Sequence, residues 1–209
     1  MNKTQIAVDI FDKCASQYQN KFMDVSSYHD GFDLFCNNIK KQNAEILELA
    51  CGPGNITKYV LNKRPDFKIL GTDLAPNMIA LAKENNPTAE FELMDSRDIS
   101  KLNKTYDAIM CGFCLPYLTK EEAIQLIADA AKILNPEGVI YISTMEDEYS
   151  KSAWKKGSGG HEMFMHYHEG GYLSQALKEN KFTIIDLKRQ DYADKDEIND
   201  VDLIIVAKK

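Results

Sequence analysis

Between residues 44 and 145, apolar positions fall into short runs that alternate with stretches of helical spacing. AEILELA (44–50), FKILGTD (67–73), AEFELMD (89–95), YDAIMCG (106–112) and GVIYIST (138–144) predict strands. NITKYVLNK (55–63) and PNMIALAKEN (76–85) predict helices. The clearest helix spans 119–134: Thr119 and Glu122 make a capping box, residues such as Ala123, Leu126, Ile127 and Ala130 share one face, and Asn135-Pro136 ends it. Strands alternating with helices imply parallel pairing through right-handed crossovers, hence a doubly wound α/β sheet with helices on both faces.

The two ends break this rhythm. After a polar, glycine-bearing stretch (146–160), a helix is expected at 170–180, followed by strands at 181–192 and 202–209. The acidic loop between those strands has no room for a crossover helix, so they form an antiparallel hairpin. Residues 1–43 precede the first strand; within them IFDKCASQYQNKF (10–22) reads as one helix, with Ile10, Phe11, Cys14, Tyr18 and Phe22 on one side.

With 209 residues, 44% of them hydrophobic, the chain can bury one sizeable core. A net charge of −7 opposes partners held by a basic field, nucleic acid and anionic membrane alike, and favours a small neutral or cationic molecule. No apolar run approaches the roughly 20 residues of a membrane span, and the start MNKTQIAVDIFDK lacks a signal-peptide core, so a cytoplasmic protein is expected. Five cysteines, an odd number read as separate thiols with no CxxC pair among them, suggest neither a disulfide framework nor a zinc ribbon, but reduced and mostly buried thiols.

The first strand runs into ACGPGN (50–55). In an open parallel sheet, ligands bind beyond the carboxyl ends of the strands, and this turn faces that crevice. Gly52 and Gly54 allow backbone conformations closed to other residues and let a ligand approach the main chain. Asp73 ends the second strand, where a carboxylate can accept hydrogen bonds from both hydroxyls of a ribose, so an adenine nucleoside ligand follows. A nicotinamide dinucleotide shares this geometry, but its fingerprint needs a third glycine where Thr57 stands. Glu48 would also repel a pyrophosphate and would suit a cation or an amino group.

Taken together, ELACGPGN (48–55), GTDLAPNM (71–78), MDSRD (94–98), YDAIMCGF (106–113) and LNPEGVIYI (134–142) resemble the ordered motifs of class I S-adenosylmethionine-dependent methyltransferases. The resemblance covers about residues 44–145 and the terminal hairpin. It implies a Rossmann-like seven-stranded sheet of order 3-2-1-4-5-7-6 with the last strand antiparallel, and methyl transfer from S-adenosyl-L-methionine to a small molecule. It also implies residue roles. Glu48 and the turn from Ala50 through Gly52 to Gly54 surround the methionine part of the cofactor. Asp73 binds the ribose, Leu74 and Met78 flank adenine, and Asp95 and Ser96 bond its amine and ring edge. The Cys111 carbonyl meets the methionyl ammonium, and Phe113 leads into the acceptor pocket. One departure is Ala75, where such enzymes often cap the second helix with Ser or Thr.

On this reading residues 1–43 form a helical lid over a 44–209 methyltransferase domain, with Tyr18 and Tyr28, beside Phe22 and His29, closing on the cofactor. Residues 146–170 form a substrate-side loop, given mobility by Gly157, Gly159, Gly160, Gly170 and Gly171. Three of the four histidines, His161, His166 and His168, crowd there. His166 and His168 share a face of an extended segment and are the candidate general bases for an acceptor that must lose a proton. No metal is expected, a site from His161, Glu162, His166 and His168 being the alternative. Trp154 with Lys155 and Lys156 is too small a basic patch to suggest nucleic acid. Two rival readings remain: a protein that binds S-adenosylmethionine or S-adenosylhomocysteine without catalysis, and a nicotinamide-dependent oxidoreductase.

Overall fold

The computed structural model describes residues 3–156, 160–193 and 199–209. Helices α1 (Lys3–Lys13), α2 (Ala15–Phe22) and α3 (His29–Asn38) lead into β1 (Glu45–Leu49), α4 (Asn55–Lys63), β2 (Lys68–Asp73), α5 (Pro76–Asn85), β3 (Glu90–Leu93) and β4 (Tyr106–Gly112). Then come α6 (Lys120–Ile133), β5 (Leu134–Glu146), β6 (Ala153–Lys156), β7 (Glu162–Met165), α7 (Gly170–Glu179), β8 (Thr183–Ala193) and β9 (Asn199–Lys208). Seven strands form one sheet in the order β3-β2-β1-β4-β5-β9-β8. Pairing is parallel from β3 to β5, and β9 runs antiparallel to both β5 and β8. This is the doubly wound order expected from the sequence, closed by the expected hairpin.

Alternation along the central strands sends neighbouring side chains to opposite faces. Leu47, Leu49, Ile109, Cys111, Ile140 and Ile142 join α6 and α7 in one core. Ile46, Ala108, Met110, Val139 and Tyr141 join Phe32 and Phe35 of α3 and Val60 of α4 in the other. The capping box of α6 is formed as expected, with the Thr119 hydroxyl accepting from the Glu122 amide and Glu122 accepting from the Thr119 amide at 2.8 Å.

Three expectations shift. The helix read over 10–22 is two helices meeting at Cys14, whose backbone leaves the helical region (φ −102°, ψ 13°). The strand read over 138–144 runs from Leu134 to Glu146, because Leu134 pairs with Tyr106 of β4 at its start and β9 pairs with it as far as Glu146. The polar stretch 146–160, read as loop, contains β6, which pairs antiparallel with β7 and sets Trp154 against Phe164. Gly157, Gly159 and most of the acidic loop between the last two strands lie outside the described residues.

α1 and α2 lie across the carboxyl ends of the strands and are pinned there by polar contacts. The Phe22 carbonyl accepts from Asn55 Nδ2 (2.8 Å), and Gln19 Oε1 accepts from Asn85 Nδ2 (2.7 Å). Asp12 has a more specific task. Ala75 gives α5 no side-chain cap, and Asp12 Oδ1 accepts the Asn77 amide (2.7 Å) in the first turn of that helix. A carboxylate 65 residues upstream thus takes the place of the missing cap.

Candidate active site

Three residues of the turn after β1 take left-handed backbone angles: Ala50 (φ +51°), Gly52 (+53°) and Gly54 (+77°). The positive φ of Gly54 strains any side chain there, and an added Cβ would also displace the Asn86 Nδ2 that lies 2.3 Å from it. The turn is tied to the tip of β2: the Gly52 amide donates to Asp73 Oδ2 and the Ala75 amide to Asp73 Oδ1, both at 2.9 Å. Burial raises the Asp73 carboxyl above its ordinary value, against the opposing pull of these backbone donors.

Beneath the turn, Glu48 is buried. Its Oε2 accepts the Thr57 hydroxyl at 2.5 Å, while Oε1 has no partner. Burial pushes this carboxyl up to about 7. At the end of β3, Asp95 accepts the Arg97 amide and its guanidinium, which also reaches Glu122 at 2.9 Å. Burial would raise Asp95, but the Arg97 hydrogen bonds outweigh it and hold the carboxyl below its ordinary value.

These elements frame an open cleft at the carboxyl ends of the strands. Ala50, Gly52, Asp73, Leu74, Met78, Asp95, Ser96, Phe113 and Tyr18 of the expected residues line it. Sequence reading missed Thr4, Ala7, Val8 and Phe11 of α1, and Met94, Cys114, Tyr117 and Leu118. The apolar spacing of α1 was the available signal, but nothing local says which surface α1 covers. Phe11 sets its ring edge-on to both Tyr18 and Tyr117, 5.6 and 5.1 Å away, and closes the roof.

Other expected residues lie off the cleft wall. Glu48, Gly54 and Cys111 sit behind it, Cys111 fully buried at the end of β4. Tyr28 donates to Asp202 Oδ2 (2.7 Å) and packs on Phe113, while His29 stacks on Tyr59 away from the cleft.

The histidines require the largest correction. His168 is fully buried, and its Nε2 lies 2.7 Å from the Leu115 carbonyl. A carbonyl only accepts, so Nε2 carries the proton and Nδ1 accepts the Tyr172 hydroxyl at 2.5 Å. Burial pushes His168 down to about 4, so it is a neutral strut joining the turn after β4 to α7. His166 lies between Tyr149 and Phe164 and faces a second recess with Lys3, Arg97, Thr119 and Glu122. That recess meets the main cleft at Thr4, Ala7 and Tyr117. Among the described residues no histidine lines the main cleft, and no group of three or more His, Cys, Asp or Glu is placed to hold a metal.

Comparison with known proteins agrees with this geometry. The family model described as "Methyltransferase domain" matches residues 46–138, the span that holds the turn, Asp73, Asp95 and the end of β4. Residues 46–138 are therefore similar to a methyltransferase domain. The chain is 36% identical over 99 residues to trans-aconitate 2-methyltransferase of Variovorax paradoxus, covering 47% of this chain and 38% of that protein. It is 36% identical over 106 residues to malonyl-[acyl-carrier protein] O-methyltransferase of Acetivibrio thermocellus, covering 50% and 36%. The matches thus span well under half the length of these relatives. In fold, the domain and its covering helices resemble magnesium protoporphyrin IX methyltransferase of Synechocystis PCC 6803 with bound SAM. That likeness has a TM-score of 0.74 at 15% identity and covers 100% of this chain and 98% of the other. They also resemble 1,6-didemethyltoxoflavin-N1-methyltransferase of Burkholderia thailandensis (TM-score 0.72, 17% identity, 98% and 88% covered).

Proposed function

We propose that this chain transfers the methyl group of S-adenosyl-L-methionine to a small-molecule acceptor. The observation that carries the proposal is the Asp73 carboxylate, held by the Gly52 and Ala75 amides at the rim of the cleft. Each oxygen spends one acceptor site on the backbone and keeps capacity for a ribose hydroxyl. The rest of the wall fits the same ligand. Leu74 and Met78 offer apolar surface for adenine, and Asp95 and Ser96 offer polar groups for its edge. The unpartnered Glu48 Oε1 behind the turn and the Cys111 carbonyl suit a methionyl ammonium.

The cofactor, when bound, supplies an electrophilic methyl on a sulfonium. The chain's residues then have to place the acceptor opposite the departing sulfur and keep water away. Ala7, Val8, Phe11 and Tyr18 supply the apolar roof for this, which supports residues 1–43 as a lid on a 44–209 catalytic unit, with 146–170 on the acceptor side. With His168 locked and His166 facing the second recess, the proposal assigns neither as base. It favours an acceptor that arrives already nucleophilic at neutral pH.

The −7 charge supports a small-molecule partner over nucleic acid, and the free thiols support a reducing, cytoplasmic setting. No helix among the described residues is long and apolar enough to cross a membrane.

The absence of a histidine from the cleft also favours a second reading, cofactor binding without transfer. Calorimetric titration with S-adenosylmethionine, S-adenosylhomocysteine and NADH tests the cleft: affinity for the first two and none for NADH is expected, and no affinity for either overturns the proposal. Incubation of methyl-labelled cofactor with a metabolite panel then separates enzyme from binder.

A further inference from the structure

Cys111-Gly112-Phe113-Cys114 is a CxxC pair that the reading of five separate thiols passed over, although the spacing is plain in the sequence. We propose that Cys111 and Cys114 form a reversible disulfide that reshapes the Gly112-Phe113 turn and shuts the cleft to its cofactor.

The geometry brings the two side chains together. Cys111 ends β4 opposite Leu49 and Ile142, and both cysteines belong to the same core beneath α6. Phe113 between them takes a left-handed backbone angle (φ +52°), which turns the chain so that Cys114 comes back under the strand end. Cys114 lines the cleft, and its thiol donates to Ser96 Oγ at 3.3 Å. Gly112, Phe113 and Ser96 line the cleft as well, so a bond across the pair alters the cofactor's own wall.

Access assigns the roles: Cys114 borders the cleft and is the thiol a small oxidant reaches first, while Cys111 lies fully buried behind it as the resolving thiol. The hydrogen bond from Cys111 holds the Cys114 thiol below its ordinary value, while that same bond and burial raise Cys111. Elsewhere, burial pushes Cys36 up to about 11 and raises Cys51 well above its ordinary value. The oxidant is a peroxide, small enough to enter the cleft. The Cys114 thiolate attacks one peroxide oxygen, breaking the O–O bond and giving a sulfenic acid and water. Cys111 sulfur then attacks the Cys114 sulfur and displaces a second water. Two thiols and one hydrogen peroxide thus give one disulfide and two waters.

The consequence for affinity rests on the cofactor reading above, and the experiment separates the two. The reduced chain is treated with hydrogen peroxide, quenched with catalase, alkylated under denaturing conditions and digested with trypsin. The peptide of residues 105–120 should lose two hydrogens and resist alkylation, and Cys111→Ser should abolish that species. S-adenosylhomocysteine present during treatment should slow its formation at least fivefold. Affinity of the oxidised chain for S-adenosylhomocysteine should fall at least tenfold and return with dithiothreitol. Full alkylation of both cysteines after peroxide overturns the proposal, as does a disulfide that leaves affinity unchanged. If the reduced chain binds neither S-adenosylmethionine nor S-adenosylhomocysteine, the cofactor reading and the closing of the cleft both fall, while the loss of two hydrogens still decides the pairing.

Discussion

The floor and the roof of the cleft are built by opposite means. The floor is backbone chemistry at strand ends: a left-handed turn at residues 50–54, a carboxylate that takes two amides at the tip of β2, and another that closes β3. The roof and flank are held by partners far apart in sequence, Asp12 with Asn77, Phe11 with Tyr117, and His168 with Leu115. The floor follows from local turns and strand ends, whereas the roof depends on contacts between residues distant in sequence.

Four substitutions test that contrast. The largest effect is expected on the floor: Asp73→Ala removes the carboxylate proposed to hold the ribose and should weaken S-adenosylhomocysteine binding about 1,000-fold, ~4 kcal/mol, by calorimetry. A loss below tenfold would mean that the ligand does not sit on this carboxylate.

Glu48 gives a pH signature. Its carboxyl is raised to about 7 by burial, so the folded chain holds the proton more tightly than the unfolded one. The stability this provides is complete below the ordinary value of 4.5 and is lost as pH rises through 7. Glu48→Gln should therefore match wild type at pH 4 and exceed it by up to about 3 kcal/mol at pH 8 in denaturant unfolding. Equal stability at both pH values would refute the buried, raised carboxyl.

His168→Ala should cost about 2 kcal/mol of stability through its two lost hydrogen bonds and the space it leaves. Methyl transfer by the folded variant should change less than fivefold. A hundredfold loss of kcat would return His168 to the chemistry.

The smallest effect is expected from Asp12→Ala. Loss of a cap is worth about 1 kcal/mol, and cofactor affinity should fall about fivefold as the roof loosens, read by chemical denaturation and calorimetry. No change in affinity would separate the roof from binding.

Most of the floor was legible from the sequence because its signals are local. Two glycines after an apolar run, and acidic residues at the next strand ends, carry their geometry with them. The capping box at Thr119 was readable for the same reason. The histidines were misread because an extended segment says nothing of what it lies against: Tyr149, Tyr172 and the Leu115 carbonyl fix His166 and His168, and all come from other elements. The break at Cys14 was likewise hidden, because the apolar face of 10–22 runs unbroken through it. Ala75 read as a missing cap until Asp12 supplied one from another helix.

That borrowed cap gives the Asn77 amide an unusual value. Were the covering helix to lift as the proposed lid, this proton would lose its acceptor and meet water, whereas amides deeper in α5 would keep theirs. Its deuterium uptake, followed residue by residue in solution, would therefore time how often the entrance opens without any ligand, label or substitution.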